Sequence, residues 1–268
     1  MHDITLYGHM TVDRIFDGFE ERQTLGAMAN MWRTFKQIAP ELDIGMCPTS
    51  IGEAIVYIDR DSSTRYSNFV PDLKTQKPII KESKISHAMY INKLLDTSWL
   101  KDLKGIVSAD VCAGPRVDSA LLQHVDYFFI ADEDAYGDLA TMCKDTKGFV
   151  ILHTNKSSVI SDGRYETKHK IEDSMFVPKS NVLGAGDMFA SSFLYGIHLG
   201  LPIDQTQKYA HETTSKLIKS ANEKISIAKK DLKKGEIKKA ISLVNSLNVK
   251  YIEVVDYIKS NYQVEDET

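Results

Sequence analysis

The chain has 268 residues, 43% of them hydrophobic and 26% charged, and its net charge is −4. This length is sufficient for one sizeable α/β domain, with or without appendages, and the charge balance argues against a nucleic-acid partner. The three cysteines are widely separated, which predicts neither a disulfide framework nor a zinc site. No apolar run approaches membrane-spanning length and no signal pattern opens the sequence, so we expect a cytoplasmic protein without a membrane partner.

Short apolar runs recur along the chain and predict buried strands. The first covers residues 4–8 and ends at a glycine. From residue 85 onward four more runs alternate with helix-like stretches, which predicts a parallel sheet wrapped by helices. These runs cover residues 87–91, 106–110, 127–130 and 149–153. Asp110 closes one of them, where it either caps the following turn or lines a cleft.

A turn of three small residues, Gly184, Ala185 and Gly186, precedes a segment whose apolar residues recur at helical spacing. Free N–H groups at a helix N-terminus, together with the positive end of the helix dipole, bind phosphate and other anions. Asp187 follows the turn directly. It is therefore placed to take a proton from a hydroxyl while the turn stabilises charge on a transferred group. The alternative is a tight turn in which Asp187 only caps the helix.

The run Gly184-Ala185-Gly186-Asp187, followed by Phe189, resembles the phosphoryl-transfer signature of the ribokinase-like carbohydrate kinases, the PfkB family. In that family the motif usually reads Asp-Thr-x-Gly-Ala-Gly-Asp-x-Phe, and here Asn181 and Val182 occupy its first two positions. The resemblance covers roughly residues 3–220. It implies a three-layer α/β/α fold with a mostly parallel central sheet and a small β lid.

The resemblance also implies roles for residues near the start of the chain. Asp13 matches a family Asp that holds sugar hydroxyls. Gly26 and Asn30 match a segment in which small residues let the substrate approach and an Asn bonds a substrate hydroxyl, although Leu25 replaces its first Gly. Judged without the resemblance, a solvated loop carboxylate is the favoured interpretation of Asp13, and Asn30 is equally compatible with a helix-surface amide.

The implied lid comprises strands over about residues 9–25 and 49–70. In the family these strands border the sugar pocket and often form a dimer. We expect Ile55, Tyr57 and Phe69 to share one face of a hairpin that covers the pocket or pairs with a second copy in a homodimer. A plain surface hairpin is the alternative.

On the donor side the match to the family is one of position only. Asn155, Lys156 and Ser158 stand where the family has its nucleotide-contacting loop, and with Asn181 they are the implied nucleotide-binding residues. Asp134 stands where a family Glu organises hydrated magnesium, and carboxylate oxygens suit Mg²⁺. A solvated, acidic first turn of a helix is the alternative for Asp134.

Beyond residue 220 the composition changes to a lysine-rich break followed by amphipathic segments. We predict a kinase domain over residues 1–220 and a helical C-terminal extension over residues 221–268, which the resemblance does not cover.

The resemblance implies ATP-dependent, magnesium-assisted phosphorylation of a hydroxyl on a sugar, a nucleoside or a related alcohol, with Asp187 as the base. The alternative is a catalytically impaired protein of the same fold that binds ligands or partners. That alternative is motivated by the altered nucleotide and metal positions.

Overall fold

A computed structural model describes the protein over residues 1–17, 20–59, 64–71, 77–112, 114–176 and 184–233. Asn181 and residues 234–268, most of the predicted extension, lie outside these ranges. The strands are β1 (His2–Asp17), β2 (Glu20–Leu25), β3 (Ile44–Asp59), β4 (Thr64–Pro71), β5 (Ser83–Ala88), β6 (Ile106–Asp110), β7 (Tyr127–Ala131), β8 (Phe149–His153), β9 (Ser157–Ser161) and β10 (Glu166–Lys170). The helices are α1 (Ala27–Ile38), α2 (Ser119–Leu122), α3 (Leu139–Asp145), α4 (Ala185–His198) and α5 (Ile203–Lys233), with 3-10 turns at Ile91–Lys93, Ser98–Asp102 and Asp132–Asp134.

One sheet contains all of these strands. Its order is β10-β9-β8-β7-β6-β5-β1-β3-β4, and β2 pairs with β1 off this path. Strands β8, β7, β6, β5, β1 and β3 run parallel to one another, while β9 and β10 are antiparallel at one edge. The mostly parallel sheet predicted from the alternating apolar runs is therefore confirmed.

Helices cover both faces of the central sheet and create two separate hydrophobic cores. One core packs Phe35 of α1 and Phe193 of α4 against the sheet, and the other contains Trp99 and residues of α2 and α3. The consecutive residues Phe128 and Phe129 of β7 are both fully buried but belong to different cores, because side chains alternate across a strand. Each such buried aromatic stabilises the fold by roughly 1.5–3 kcal/mol.

Strands β1 and β3 continue beyond the central sheet into a second region. There, residues 9–17 of β1 and 50–59 of β3 form a four-stranded unit with β2 and β4, which we call the small sheet. The glycine predicted to end the first strand does not end it. Gly8 has a φ of 144°, and the pairing register with β3 shifts between Gly8 and His9. Strand β1 nevertheless continues to Asp17.

Three further details differ from the sequence-based expectations or bear on them. The run predicted over residues 87–91 is a strand over Ser83–Ala88, which ends before the left-handed conformation of Tyr90. In the small sheet, Phe69 pairs with Ala54, so the expectation that it shares a face with Ile55 and Tyr57 is wrong. Helix α5 runs without a break through residues 220 and 221, so the boundary predicted there falls inside a helix.

Candidate active site

The carboxyl ends of the parallel strands bring several polar side chains to one edge of the central sheet. Asp110 is the last residue of β6, His153 is the last residue of β8, and Asp132 directly follows β7. Tyr90 comes two residues after β5. Ligands of open α/β sheets bind at this edge, so it is the natural place for a site.

Helix α4 begins at this edge through a turn that requires glycine. Gly184 is its N-cap residue, with a left-handed φ of 87°. A Cβ atom there would lie 2.7 Å from Nδ2 of Asn30 and 3.0 Å from Oδ2 of Asp187. The first N–H groups of the helix have no partner within the helix, so they remain available to an anion. A Cβ at Gly186 would meet only His153, at an ordinary 3.7 Å.

Asp187 lies in the first turn of α4 and is 4% exposed. The hydroxyl of Tyr90 donates to its Oδ1 at 2.9 Å, and Nδ2 of Asn30 donates to its Oδ2 at 3.1 Å. Burial raises the pKa of Asp187 to about 7, with a further rise from the nearby Asp110, while the two hydrogen bonds act in the opposite direction. A carboxylate with a pKa near neutrality is suited to accept and release a proton at physiological pH.

Asp13 is held beside the start of α1. Its Oδ1 accepts a hydrogen bond of 2.5 Å from Oγ1 of Thr11, and the carbonyl of Thr11 accepts one of 2.9 Å from the N–H of Gly26. A Cβ at Gly26 would stand 1.8 Å from Oγ1 of Thr11 and 2.7 Å from Oδ1 of Asp13. Only glycine at position 26 therefore permits the backbone to lie this close to the side chains of Thr11 and Asp13. Burial raises the pKa of Asp13, and its charge contributes to the raised pKa of Asp187.

Asn30 connects α1 to α4. It is 8% exposed, so it is not a helix-surface amide. While its Nδ2 donates to Asp187, its Oδ1 accepts a hydrogen bond of 3.4 Å from Arg33. Burial lowers the pKa of Arg33, and the charge of Asp187 raises it. The structure thus brings the sequence-predicted residues Asp13, Gly26, Asn30, Gly184, Ala185, Gly186 and Asp187 to one place.

Two further residues of this place were not predicted as site residues. Oδ1 of Asp110 accepts a hydrogen bond from the backbone N–H of Tyr90, which belongs to a different loop, so this oxygen does not cap the turn after β6. Tyr90 reaches Asp187 from the opposite side to Asn30. The sequence signal was an Asp at a strand end for Asp110, and there was none for Tyr90.

The predicted donor residues lie in and after the turn between β8 and β9. Asn155 and Lys156 are exposed, and Nζ of Lys156 lies 4.4 Å from the ring centroid of Phe176. Ser158 is different, because it is 1% exposed and its Oγ bonds Nε2 of His211 at 2.8 Å and Nε2 of Gln207 at 2.9 Å. In this structure β9 directs the Ser158 side chain toward α5, and a nucleotide contact by Ser158 stays a prediction.

The predicted metal ligand Asp134 ends the 3-10 turn at Asp132–Asp134. Burial and the neighbouring Glu133 raise its pKa to about 6, and Lys93 acts in the opposite direction. Carboxylate oxygens match the ligand preference of Mg²⁺, which commonly needs only one or two of them besides water and phosphate. Across the described ranges, however, no three His, Cys, Asp or Glu side chains are grouped to hold an ion. Magnesium binding by Asp134 stays a prediction.

Comparison with known proteins was informative only at the level of three-dimensional structure. No protein-family model and no curated protein sequence matches the chain. Within the part that the structure describes, no helix is long and apolar enough to cross a membrane.

Three solved structures illustrate the structural matches. A pyrophosphate-dependent kinase in the ribokinase family, solved as a sulfate complex, is 14% identical, with a TM-score of 0.58 over 80% of this chain and 94% of that one. The nucleoside kinase of Methanocaldococcus jannaschii is 16% identical, with a TM-score of 0.58 over 82% and 92%. The ribokinase of Arabidopsis thaliana, complexed with ribose and ATP, is 15% identical, with a TM-score of 0.57 over 81% and 93%. The chain therefore has the ribokinase-like fold, as its motif at residues 184–187 predicted.

Proposed function

We propose that the protein is a small-molecule kinase that transfers a phosphoryl group to a hydroxyl of a sugar, a nucleoside or a related alcohol. The observation that carries this proposal is the state of Asp187. Its carboxylate is buried at the N-terminus of α4, held by two side-chain donors, and has a pKa of about 7. A base beside an anion-binding turn is the arrangement that phosphoryl transfer to an alcohol requires.

In the proposed reaction Asp187 accepts the proton of the acceptor hydroxyl as that oxygen attacks the terminal phosphorus of the donor. A new P–O bond forms, and the bond from phosphorus to the leaving phosphate oxygen breaks. The N–H groups of residues 184–186 stabilise the charge on the transferred group. A positioned general base typically contributes about 10²- to 10⁴-fold in rate.

The charges around Asp187 favour a neutral acceptor. Asp13 and Asp110 both raise the pKa of Asp187 by their negative charge, and Arg33 is the cation that opposes them. At an effective dielectric of about 20, two like charges about 4 Å apart repel by about 4 kcal/mol. An acceptor that already carries a phosphate would meet this repulsion, whereas hydroxyls can donate to Asp13 and bond Asn30.

We favour ATP as the donor, with Asn155 and Lys156 contacting it. Pyrophosphate is the competing donor, because one structural neighbour is described as pyrophosphate-dependent and another is complexed with ATP. Mg²⁺, when bound, would neutralise phosphate oxygens, and Asp134 is the residue proposed to hold it. The roles of the chain's own residues in proton transfer do not depend on that ion.

A second candidate is a protein of this fold that binds a small molecule without turnover. The specific observation in its favour is Ser158, whose hydroxyl is buried and bonded to α5 instead of facing a nucleotide. Binding would use the same Asp13 and Asn30.

The deciding experiment is an acceptor panel tested with magnesium plus ATP and, separately, magnesium plus pyrophosphate. Neutral sugars, nucleosides and polyols are compared with phosphorylated sugars, and ADP or phosphate release is measured. We expect turnover that depends on a neutral acceptor and disappears in Asp187→Asn. Tight acceptor binding by calorimetry without any turnover would instead favour the binding protein.

The homodimer through the small sheet stays a prediction. Tyr57 of β3 is 49% exposed there, as a contact with a second copy would require. Sedimentation equilibrium checks it, and a strict monomer at high concentration would contradict it.

A further inference from the structure

Tyr90 has an unusual backbone conformation. Its φ and ψ are 48° and 49°, and elsewhere in the described ranges only glycines have a positive φ. A bulky aromatic residue seldom adopts this left-handed region. Such strain persists only where the surroundings impose it, and it concentrates at functional sites.

Hydrogen bonds hold the backbone of Tyr90 in this conformation. Oδ1 of Asp110, a residue 6% exposed, accepts the hydrogen bond of the Tyr90 N–H. Behind it, Nε2 of the fully buried His87 lies 3.5 Å from the other carboxylate oxygen. In the next peptide unit, the carbonyl of Tyr90 accepts a hydrogen bond of 2.8 Å from the N–H of Lys93. Tyr90 is thus fixed by its backbone, independently of its hydroxyl.

The fixed ring carries its hydroxyl to Asp187. Tyr90 donates to Oδ1 and Asn30 to Oδ2, so each carboxylate oxygen has one donor from a different element. Two donors on two oxygens determine the plane of the carboxylate and leave one lone pair on each oxygen for other partners. Burial and the charge of Asp187 raise the pKa of Tyr90 well above its ordinary value, so its hydroxyl keeps its proton and remains a donor.

We propose that Tyr90, held in its strained conformation by Asp110, is a positioning residue that orients the carboxylate of Asp187 toward the acceptor hydroxyl. This inference rests on the proposed kinase function. The hydrogen bond from Tyr90 also stabilises the ionised carboxylate and so lowers the pKa of Asp187. This effect on the pKa can be measured. Other titratable or charged groups face this carboxylate from neighbouring elements: Asp13 from β1, Arg33 from α1, Asp110 from β6, Cys112 after β6, and His153 at the adjacent Gly186.

The first test is a ¹³C NMR titration of the Asp187 carboxyl in the full chain, assigned by comparison with Asp187→Asn. In Tyr90→Phe, which keeps the ring, the midpoint should move to higher pH by about one unit, because one donor to the ionised form is lost. In Asp110→Asn it should move to lower pH, because a like charge is lost. A midpoint in Tyr90→Phe equal to that of the parent would overturn the proposal.

Tyr7→Phe is the matched control. Tyr7 is also a buried tyrosine, its hydroxyl bonds the backbone of Lys81 at 3.3 and 3.1 Å, and it packs in the core on the other side of the sheet. The same chemical change there should leave the Asp187 midpoint in place. A shift as large as that of Tyr90→Phe would show a general effect of lost tyrosine hydroxyls, and the proposal would fail.

Kinetics separate orientation from charge. Well above pH 7 the carboxylate is ionised in every variant, so a remaining loss of kcat reports orientation. We expect Tyr90→Phe to lose about tenfold in kcat there, with the acceptor KM within about twofold of the parent. Full recovery of kcat at high pH would refute the orienting role.

The titration needs no turnover, so the two proposals fail separately. A shifted midpoint in a chain that phosphorylates no acceptor would end the kinase proposal and leave the contact between Tyr90 and Asp187 standing. An active chain whose Asp187 midpoint does not move in Tyr90→Phe would support the kinase proposal and overturn the positioning role of Tyr90.

Discussion

The side of the candidate active site proposed to bind the acceptor and the side proposed to bind the donor differ in how their residues are held. On the acceptor side, Asp187 bonds Asn30 and Tyr90 directly, and a Cβ at Gly26 would stand 2.7 Å from Oδ1 of Asp13. On the donor side, Asn155 and Lys156 stand exposed in a turn, and the side chain of Ser158 points inward to α5. One side is a connected network, and the other is a short exposed segment.

This difference gives the two sides a different tolerance of substitution. In the network, removing one partner leaves a buried polar group unsatisfied, which costs about 1–3 kcal/mol. The turn between β8 and β9 is closed instead by its own backbone, with Thr154 N–H donating to the Ser157 carbonyl at 2.8 Å. Many residue types fit such a turn, so its side chains can change without loss of the fold. Substitutions on the two sides should therefore have different consequences.

The largest effect is expected for Asp187→Asn. The variant keeps the shape of the side chain but removes the base, so kcat/KM should fall about 10²- to 10⁴-fold. Donor affinity should hold, because the N–H groups of α4 are unchanged. The matched control is Asp138→Asn at the exposed N-cap of α3, where Asn caps equally well and activity should not change. Undiminished turnover in Asp187→Asn would show that Asp187 is not the base.

The same variant should alter the pH dependence of stability. The pKa of Asp187 rises from 3.8 in the unfolded chain to about 7 in the fold. The folded state therefore retains a proton that the unfolded state has lost, and the free energy of unfolding falls as pH rises between about 4 and 7. The fall is at most about 4 kcal/mol, from roughly three pH units at about 1.4 kcal/mol each. Urea denaturation should find this contribution missing in Asp187→Asn, which makes the variant relatively more stable above pH 7.

The next largest effect is the pH dependence of the rate. Asp187 must be ionised to accept a proton, so log kcat/KM should rise with unit slope and level off above about pH 7. From about pH 5 to the plateau above about pH 7 this amounts to about 100-fold. The pH profile of kcat/KM is measured with a phosphoryl donor whose own ionisation is known over this pH range. A flat profile across this range is incompatible with Asp187 as the base.

A smaller effect, confined to the acceptor side, is expected for Gly26→Ala. The new Cβ would clash with Thr11 and displace the Asp13 carboxylate, so the acceptor KM should rise about tenfold while the donor KM stays within about twofold. Adding Thr11→Ala removes the closest clashing atom and should recover part of the loss. An equal rise in both KM values would mean that the two sides are not independent.

The smallest kinetic effect is expected for Ser158→Ala. Its hydroxyl bonds His211 and Gln207 in the core, so its loss should reduce the free energy of unfolding by about 1–2 kcal/mol and leave the donor KM unchanged. Lys156→Ala is the paired variant with the opposite profile, raising the donor KM without a change in stability. A donor KM that rises in Ser158→Ala at full stability would restore Ser158 to the nucleotide site.

The strands that could be predicted from sequence are those whose side chains are mostly apolar. Residues 106–110 and 149–153 were predicted with the boundaries that the structure has, since both segments are buried in the centre of a parallel sheet. β5 was displaced because its buried residues Ser83, Ser86 and His87 are polar. Hydropathy cannot mark a strand of that composition, and its pairing with β1 and β6 reveals it.

The candidate site likewise has one part that the sequence predicts and another that only the structure shows. The run at residues 184–187 is local, so its geometry was predictable from a few adjacent small residues. The contact of Tyr90 with Asp187 joins positions 97 residues apart, and the order of the strands creates it. A tyrosine after a strand has no sequence feature that announces such a partner, so Tyr90 was found only in the structure.

The continuity of β1 and β3 limits how the small sheet can move. Both strands pass from the central sheet into the small sheet, and they stay paired with each other from Ile4 to Asp17 of β1. Among the described residues, β1 and β3 enter the small sheet without an intervening loop, so a displacement of the small sheet must bend this strand pair. The pairing register of the two strands shifts between Gly8 and His9, and such an irregularity bends a strand pair locally. The angle between the central sheet and the small sheet is therefore set within the paired backbone itself, at that step.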